Sequence, residues 1–406
     1  MPAYCRIRSG VGVAMIVERV GESLRIESLA FADFRNYERF SLDGIGDLTI
    51  FVGPNAVGKT NVLEGIQLLT SASSFRHPQV SQLVREGADS ARISMEVTDG
   101  NRRLSTALSL EPGKKKFTIN GKAKGAADVR GVLPSVMFTP DDLELAKKSS
   151  SVKRDAVDDL GVQLTRNYYI VRRDYEKTIR YKNRLLRDEA SRALVESINE
   201  TLVTCGAQLF CYRAALFDRL VPHVARVYGD IAREGEAFSA SYVPSWMKVA
   251  EGDVGTSVGE APRERDVVRG IMAESLERFY GEERARRRSL IGPHNDQIGF
   301  ALAGRDASVF ASQGQQRSIV LAWKLAEVEL TREVLGVSPV LLLDDVLSEL
   351  DASRREMLVG FVTDDVQTFV TATDLDGFAG EMVERAQLVE LPRSVSAPLT
   401  ARPKVG

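Results

Sequence analysis

The feature that most constrains this chain is the run GPNAVGKT at 53–60. It satisfies G-x-x-x-x-G-K-[ST] in the context that pattern requires. The apolar, β-branched run LTIFV (48–52) precedes it and the helix-like NVLEGIQLL follows. Gly53 and Gly58 let the backbone curl around a phosphate with N–H groups inward, and the following helix turns its positive end to the same charge. Pro54, Asn55, Ala56 and Val57 complete the loop. Lys59 can set its ammonium between the terminal phosphates, and Thr60 can put its hydroxyl on Mg²⁺. ATP and Mg²⁺ are therefore the expected cofactors.

Two later motifs complement the loop. LLLDD (341–345) is an apolar strand ending in carboxylates. Asp344 is placed to hold Mg²⁺, directly or through water, and Asp345 to orient or deprotonate an attacking water. ASQGQ (311–315), followed by QRS and the helix-like IVLAWKLAEVEL, puts Ser312, Gly314 and Gln315 at a helix start, which is another anion-binding arrangement. One site needs only one phosphate loop. The second donor set is thus expected to serve the nucleotide of another copy, with ATP held between two copies of the chain.

The remainder of the 406 residues is organised around these motifs. LRIESL (24–29) reads as a strand, and 91–119 alternates in short strand-like runs that suggest an antiparallel layer. From 141 to 288 the chain is mostly helical and charge-rich, broken only at 244–263. Strand patterns return at 298–303, at LLLDD and at TFVTAT (368–373). The expected division is an N-terminal extension at 1–22, a first head segment at 23–140, an inserted helical arm at 141–288 and a second head segment at 289–390. A disordered tail is expected at 391–406. No apolar run reaches the ~20 residues of a membrane span. Cys5, Cys205 and Cys211 form a sparse, odd set that fits a reducing cytosol better than a disulfide framework, and the latter two read as core residues. With a net charge of −2, any contact with nucleic acid must come from local patches rather than a global field.

Together these motifs resemble the ABC-type ATPases, with ASQGQ as the signature motif and SELD (Ser348 to Asp351) as the D-loop. Within them, LAFADFRNYERFSL (29–42), GPNAVGKTNVLEGI, FTPDDL (138–143), GPHNDQIGF (292–300), ASQGQQRS and LLLDDVLSELD resemble the RecF family of bacterial recombination mediators. The resemblance spans about residues 24–375. It implies an α/β fold: an ABC-type ATPase head, with a mixed sheet and helices plus an antiparallel β layer, split by an inserted α-helical arm. It also implies ATP-dependent homodimerisation and slow ATP hydrolysis. Further implications are binding of double-stranded DNA near single-strand gaps, partnership with RecR and RecO in loading recombinase at stalled forks, a role for Asp351 at the nucleotide, and a cytoplasmic location. Two departures stand out. Asn295 and Gln297 lie where the family more often has Arg and Asp, so no role passes to that segment. TFVTATD has no histidine where many ABC ATPases place one, which leaves Thr371 or Thr373 at that position.

The densest basic run lies in the expected arm. Between Gln163 and Arg187 stand Arg166, Arg172, Arg173, Lys177, Arg180, Lys182, Arg184 and Arg187, against only Asp174 and Glu176. Tyr168, Tyr169, Tyr175 and Tyr181 are interleaved. Arg172, Arg173, Lys177, Arg180, Lys182 and Arg184 are the candidate contacts to DNA phosphates. Lys114–Lys116 and Arg284–Arg288 are smaller clusters. A transporter ATPase is disfavoured because the signature falls about 250 positions after the phosphate loop and a basic arm intervenes. Another SMC-like chromosome ATPase is the nearest alternative, and the lack of a long heptad region argues against it.

Overall fold

A strand that is apolar at every position needs cover on both faces. LTIFV, VLLLD and TFVTA all read that way, and in the computed structural model they lie in one sheet. The structure describes residues 24–232, 236–247, 261–361, 366–375, 378, 380–391 and 400–402. The expected extension at 1–22, together with Cys5, lies outside the described residues.

In chain order, the first part runs β1 (Arg25–Phe34), β2 (Tyr37–Asp43), β3 (Leu48–Val52), α1 (Lys59–Thr70), α2 (Val80–Leu83), β4 (Ala91–Thr98), β5 (Arg103–Glu111), β6 (Lys114–Ile119), β7 (Lys122–Lys124), α3 (Ala126–Arg130) and β8 (Ser135–Phe138). The helical part is α4 (Ser150–Leu164), α5 (Arg166–Arg187), α6 (Arg192–Ile231), β9 (Phe238–Val243), α7 (Arg265–Arg278) and α8 (Tyr280–Arg286). The chain then continues through β10 (Gln297–Leu302), β11 (Arg305–Asp306), α9 (Ala307–Phe310), α10 (Gln313–Leu335), β12 (Val340–Asp344), α11 (Ala352–Phe361), β13 (Thr368–Ala372), α12 (Gly380–Arg385), β14 (Gln387–Glu390) and β15 (Thr400–Arg402).

The central sheet has the order β15-β14-β3-β13-β12-β8, with β14, β3, β13, β12 and β8 parallel. Strands from the two ends of the chain are therefore interleaved in one sheet. Period-two alternation gives each face its own core. Phe51, Leu342, Phe369 and Val389 face α1 and the antiparallel sheet β2-β1-β4-β5-β6-β7. Ile50, Leu341, Leu343 and Val370 face α10 and the long helices. Helix α1 is thus enclosed between two sheets, so closely that a Cβ on Gly65 would lie 2.6 Å from the ring of Phe31.

Apart from a small cluster of Leu185, Leu186 and Val195, the buried residues of the helical insertion share the head's core. Helices α4, α5, α6 and α10 contribute to the same buried cluster as the lower face of the central sheet. The expected boundary at 288 also cuts a small sheet, because β9 of the helical part pairs with β10 beyond it. The expected tail at 391–406 is corrected at two points. Leu391 is buried and donates its N–H to Val52 O at 2.9 Å, and Thr400–Arg402 pairs with β14 as an edge strand. Prolines in the sequence concealed an edge position where a partner strand supplies the hydrogen bonds. Residues 392–399 and 403–406 lie outside the described residues.

Where the insertion joins the head, charge is buried. Arg213 of α6 bonds both carboxylate oxygens of Asp158 (2.7 and 2.9 Å) and donates to Pro293 O at 2.7 Å. Asp158 also accepts from Tyr168 Oη at 2.5 Å. The surrounding guanidinium holds its carboxyl below the usual range despite burial, which acts the other way. Asp296 accepts from Ser245 N–H (2.8 Å) and from Tyr242 Oη. His294 meets Tyr175 Oη through Nδ1 at 2.6 Å, and burial pulls its imidazole down to about 4, so it is neutral. GPHNDQIGF is therefore a junction that ties α5 and α6 to β10. Removing one partner of such a buried pair leaves the other charge uncompensated. Arg213→Ala is expected to cost roughly 3–5 kcal/mol, measured by urea unfolding, whereas a loss below ~1 kcal/mol would show that the network contributes little.

Candidate functional site

Ligands of open parallel sheets gather beyond the carboxyl ends of the strands. Here β3, β13 and β12 lie side by side and deliver the phosphate loop, Thr371 and the Asp344–Asp345 pair to one edge. The loop leaves β3 at Val52 and enters α1 at Lys59. Ala56 (φ 64°) and Gly58 (φ 113°) both take left-handed backbone, which turns N–H groups into a concave nest. At Gly58 a Cβ would lie 2.6–2.8 Å from the side chains of Asn36 and Tyr37, so only glycine fits. Pro54, Asn55 and Ala56 are exposed at the loop's rim, and Gly53 and Val57 are partly buried.

Lys59 is buried, and its Nζ donates to Gly53 O (2.6 Å) and Pro54 O (3.1 Å). The ammonium is folded back over the concave loop. Burial lowers its pKa, while Asp345 and Asp344 pull it up. Thr60 Oγ1 donates to Asp344 Oδ1 at 2.8 Å, across 284 positions of sequence. Thr371 Oγ1 donates to the same oxygen at 2.9 Å. Asp345 has left-handed backbone, at φ 53°, a conformation costing an L-residue roughly 1–2 kcal/mol. Its N–H donates to Thr371 Oγ1 (2.9 Å), and its carbonyl accepts from Ser348 Oγ (2.8 Å). Burial pushes both carboxyls above the usual carboxylate range, against the opposing pull of Thr60 on Asp344 and of Lys59 on Asp345.

This arrangement fits the expected cofactors. One hydroxyl and one carboxylate beside a phosphate loop are the hard oxygen donors that Mg²⁺ takes when phosphates and water complete its shell. Among the described residues no cluster of three or more His, Cys, Asp or Glu is placed to hold a metal alone.

The signature residues form a second group. Ser312 caps α10, accepting the N–H of Gln315 (3.2 Å) while Gln315 Oε1 accepts that of Ser312 (2.7 Å). A Cβ on Gly314 would lie 3.2 Å from Arg354, whose guanidinium binds Asp351 and also donates to Ser318 Oγ at 2.9 Å. Among the described residues, no hydrogen bond or ion pair runs from Ser312, Gly314, Gln315 or Asp351 to the phosphate loop.

The six DNA candidates divide by helix face. Lys182 is a correction. It is fully buried against Glu283, with its Nζ 2.6 Å from the carboxylate, because position 182 faces the core. Arg172 is likewise turned inward, to Asp155, Asp158, Asp159 and Glu176 (2.7–3.5 Å), and is committed to that acidic set. Arg173, Lys177, Arg180 and Arg184, joined by Arg187, are exposed at alternating spacings of four and three on one face of α5. Their carboxylate neighbours Asp174, Glu176 and Asp188 form surface pairs at 2.8–3.7 Å, worth about 0–1 kcal/mol each. Tyr168 and Tyr175 face the core, while Tyr181 is exposed.

Sequence reasoning passed over Asn36 and Glu64. Asn36, in the β1–β2 turn, donates to Val57 O (2.9 Å) and accepts from Asn61 (2.7 Å), bracing the phosphate loop from outside. Glu64, one turn beyond Thr60, is fully buried and anchors Arg35 (2.7 and 2.8 Å) and Ser74 (2.6 Å). The only signal was their place in FRNY and NVLEGI, which carries no chemistry without the fold. Of the two threonines considered for the histidine position, Thr371 is buried beside Asp344 and Thr373 is exposed.

A phosphate loop and an acidic strand end on parallel strands either side of β13, an antiparallel sheet over α1 and a capped signature helix define an ABC-type ATPase head. The family model of the RecF/RecN/SMC N terminal domain matches residues 25–389. The DNA replication and repair protein RecF of Symbiobacterium thermophilum is 37% identical over 355 residues, 86% of this chain and 92% of that protein. Its counterpart in Thermosynechococcus vestitus is 35% identical over 372 residues, 90% and 95% of the two chains. A solved structure of the recombination mediator protein RecF with ATP, in the RecFOR pathway, superposes with a TM-score of 0.82 at 25% identity, covering 95% of this chain and all of that one. An Smc head shares the fold alone, at 14% identity and a TM-score of 0.53. The chain belongs to the RecF family.

Asn36→Ala removes two hydrogen bonds that hold the loop, each worth about 1 kcal/mol. Affinity for a fluorescent ATP analogue is expected to fall roughly tenfold, and an unchanged affinity would show that the loop holds its shape unaided.

Proposed function

We propose that this protein is an ATP-switched DNA-binding mediator of replication and recombinational repair. The observation that carries the reading is the separation of two anion-binding groups. The phosphate loop is closed onto Asp344, and the signature set lies apart on the end of α10. Gly53 to Thr60 hold the phosphates, with Lys59 leaving its two loop carbonyls for the terminal phosphate oxygens. Thr60 and Asp344 hold Mg²⁺, which when bound neutralises phosphate charge and so favours attack by water. Asp345 orients that water and takes up its proton. Its side chain, one methylene shorter than glutamate, suits slow turnover.

Ser312, Gly314, Gln315 and Asp351 then act on the nucleotide of a second copy, so ATP drives head-to-head dimerisation and hydrolysis releases it. Arg173, Lys177, Arg180 and Arg184 meet the phosphates of double-stranded DNA near single-strand gaps. In the family's setting the protein works with RecR and RecO to load recombinase and maintain stalled forks in the cytoplasm. No helix among the described residues is long and apolar enough to cross a membrane.

One set of measurements tests the reading. With ATP, the wild type is expected to sediment as a dimer and to bind gapped duplex, and Lys59→Met to do neither. The pair Lys177→Glu and Arg180→Glu is expected to dimerise normally. Its DNA binding should weaken at least about tenfold, with a shallower salt dependence, because each phosphate contact contributes about 0.9 to that slope. Equal dimer with and without ATP, or unaltered DNA binding by the charge reversals, would contradict it.

A further inference from the structure

Asp345 is held where a free aspartate would not stay. Its backbone is left-handed, it directly follows a fully buried strand, and side-chain hydroxyls capture both of its backbone polar groups. One hydroxyl belongs to Ser348, on the turn that follows. The other belongs to Thr371, at the end of the neighbouring strand and directly opposite Asp344 in the parallel register.

The Thr371 hydroxyl has one hydrogen to give. That hydrogen goes to Asp344 Oδ1 at 2.9 Å, and its oxygen accepts the N–H of Asp345, also at 2.9 Å. The side chain is 1% exposed, so water cannot substitute for either bond. Asp344 Oδ1 also receives Thr60, which fixes the rotation of the carboxylate from two sides. Thr373, two positions on, is exposed and makes no comparable bond among the described residues.

We infer that Thr371 is the positioning residue that couples the Mg²⁺-holding carboxylate of Asp344 to the water-orienting carboxylate of Asp345. The inference rests on the ATP-hydrolysis reading above. A shift of Asp344 toward the nucleotide is passed through one hydroxyl to the backbone of Asp345, so the two acids act as a unit. Ser348 pins Asp345 alone, and its bond reaches the backbone without touching Asp344. Threonine suits the position because a hydroxyl both donates and accepts, whereas valine, with nearly the same shape, does neither.

The test compares Thr371→Val, Thr371→Ser and Ser348→Ala with the wild type in two measurements. One is affinity for a fluorescent ATP analogue with and without Mg²⁺; the other is single-turnover phosphate release. Thr371→Val is expected to keep its Mg²⁺-free affinity within about twofold, to lose most of the strengthening that Mg²⁺ brings, and to release phosphate at least roughly tenfold more slowly. Thr371→Ser is expected to restore both properties. Ser348→Ala is expected to slow release while keeping the Mg²⁺ effect. The inference is overturned if Thr371→Val releases phosphate at the wild-type rate. It is equally overturned if Mg²⁺-free affinity falls in step with turnover and serine does not restore it, since that describes packing alone. If the wild type itself releases no phosphate, the hydrolysis reading fails, and the Mg²⁺ dependence of affinity still decides the role of Thr371 toward Asp344.

Discussion

One carboxylate oxygen, Asp344 Oδ1, takes a hydrogen from Thr60 and another from Thr371. Asp344 and Thr371 lie at two strand ends and Thr60 in the first turn of α1, 284 positions of sequence from Asp344. The bonds form only if β3, β13 and β12 stand side by side in that order. The sheet therefore has to close around the two ends of the chain before the site exists. Everything between β8 and β12 must leave the sheet and return, and it does so as α4 to α10 with β9 to β11.

The excursion does not hang free. Residues of α5, α6 and α10 bury into the lower face of the central sheet, and Asp158, Arg213 and Asp296 tie the helices to the segment entering β10. Burying charge in this way is weak evidence of added stability, because desolvation offsets much of the attraction. It does fix geometry, since few arrangements satisfy every member. The exposed cation face of α5 is thereby held at a set angle to the head, as is the capped start of α10. A change at the nucleotide then acts on a body that already includes the basic face.

The phosphate loop and the acidic strand end were legible in the sequence because their motifs are local. GPNAVGKT and LLLDD each carry their meaning in a few consecutive residues, and the strand and helix patterns around them are strong. The antiparallel layer was legible in the alternation over 91–119. Other features depend on contacts between distant segments. Asn36 reads as an ordinary turn residue until the fold sets it against Val57. Thr371 reads as one of two threonines until the register places it opposite Asp344. The basic run misled in part because net charge does not record which way a helix faces. Lys182 and Arg172 count with the others in composition and point the other way in space. The C-terminal segment misled because prolines suggest irregular chain, while Leu391 and β15 show that it returns to the sheet edge.

The central claim is that the Thr60–Asp344 bond joins the two ends of the chain into one site. It is tested most directly by a double-mutant cycle in the absence of nucleotide. The stabilities of the wild type, Thr60→Val, Asp344→Asn and the double variant are measured by urea unfolding. The account predicts that the two losses fail to add, with a coupling of about 1.5 kcal/mol or more, as for a hydrogen bond to a charged group. Losses that add to within about 0.5 kcal/mol would show two independent sites and contradict it.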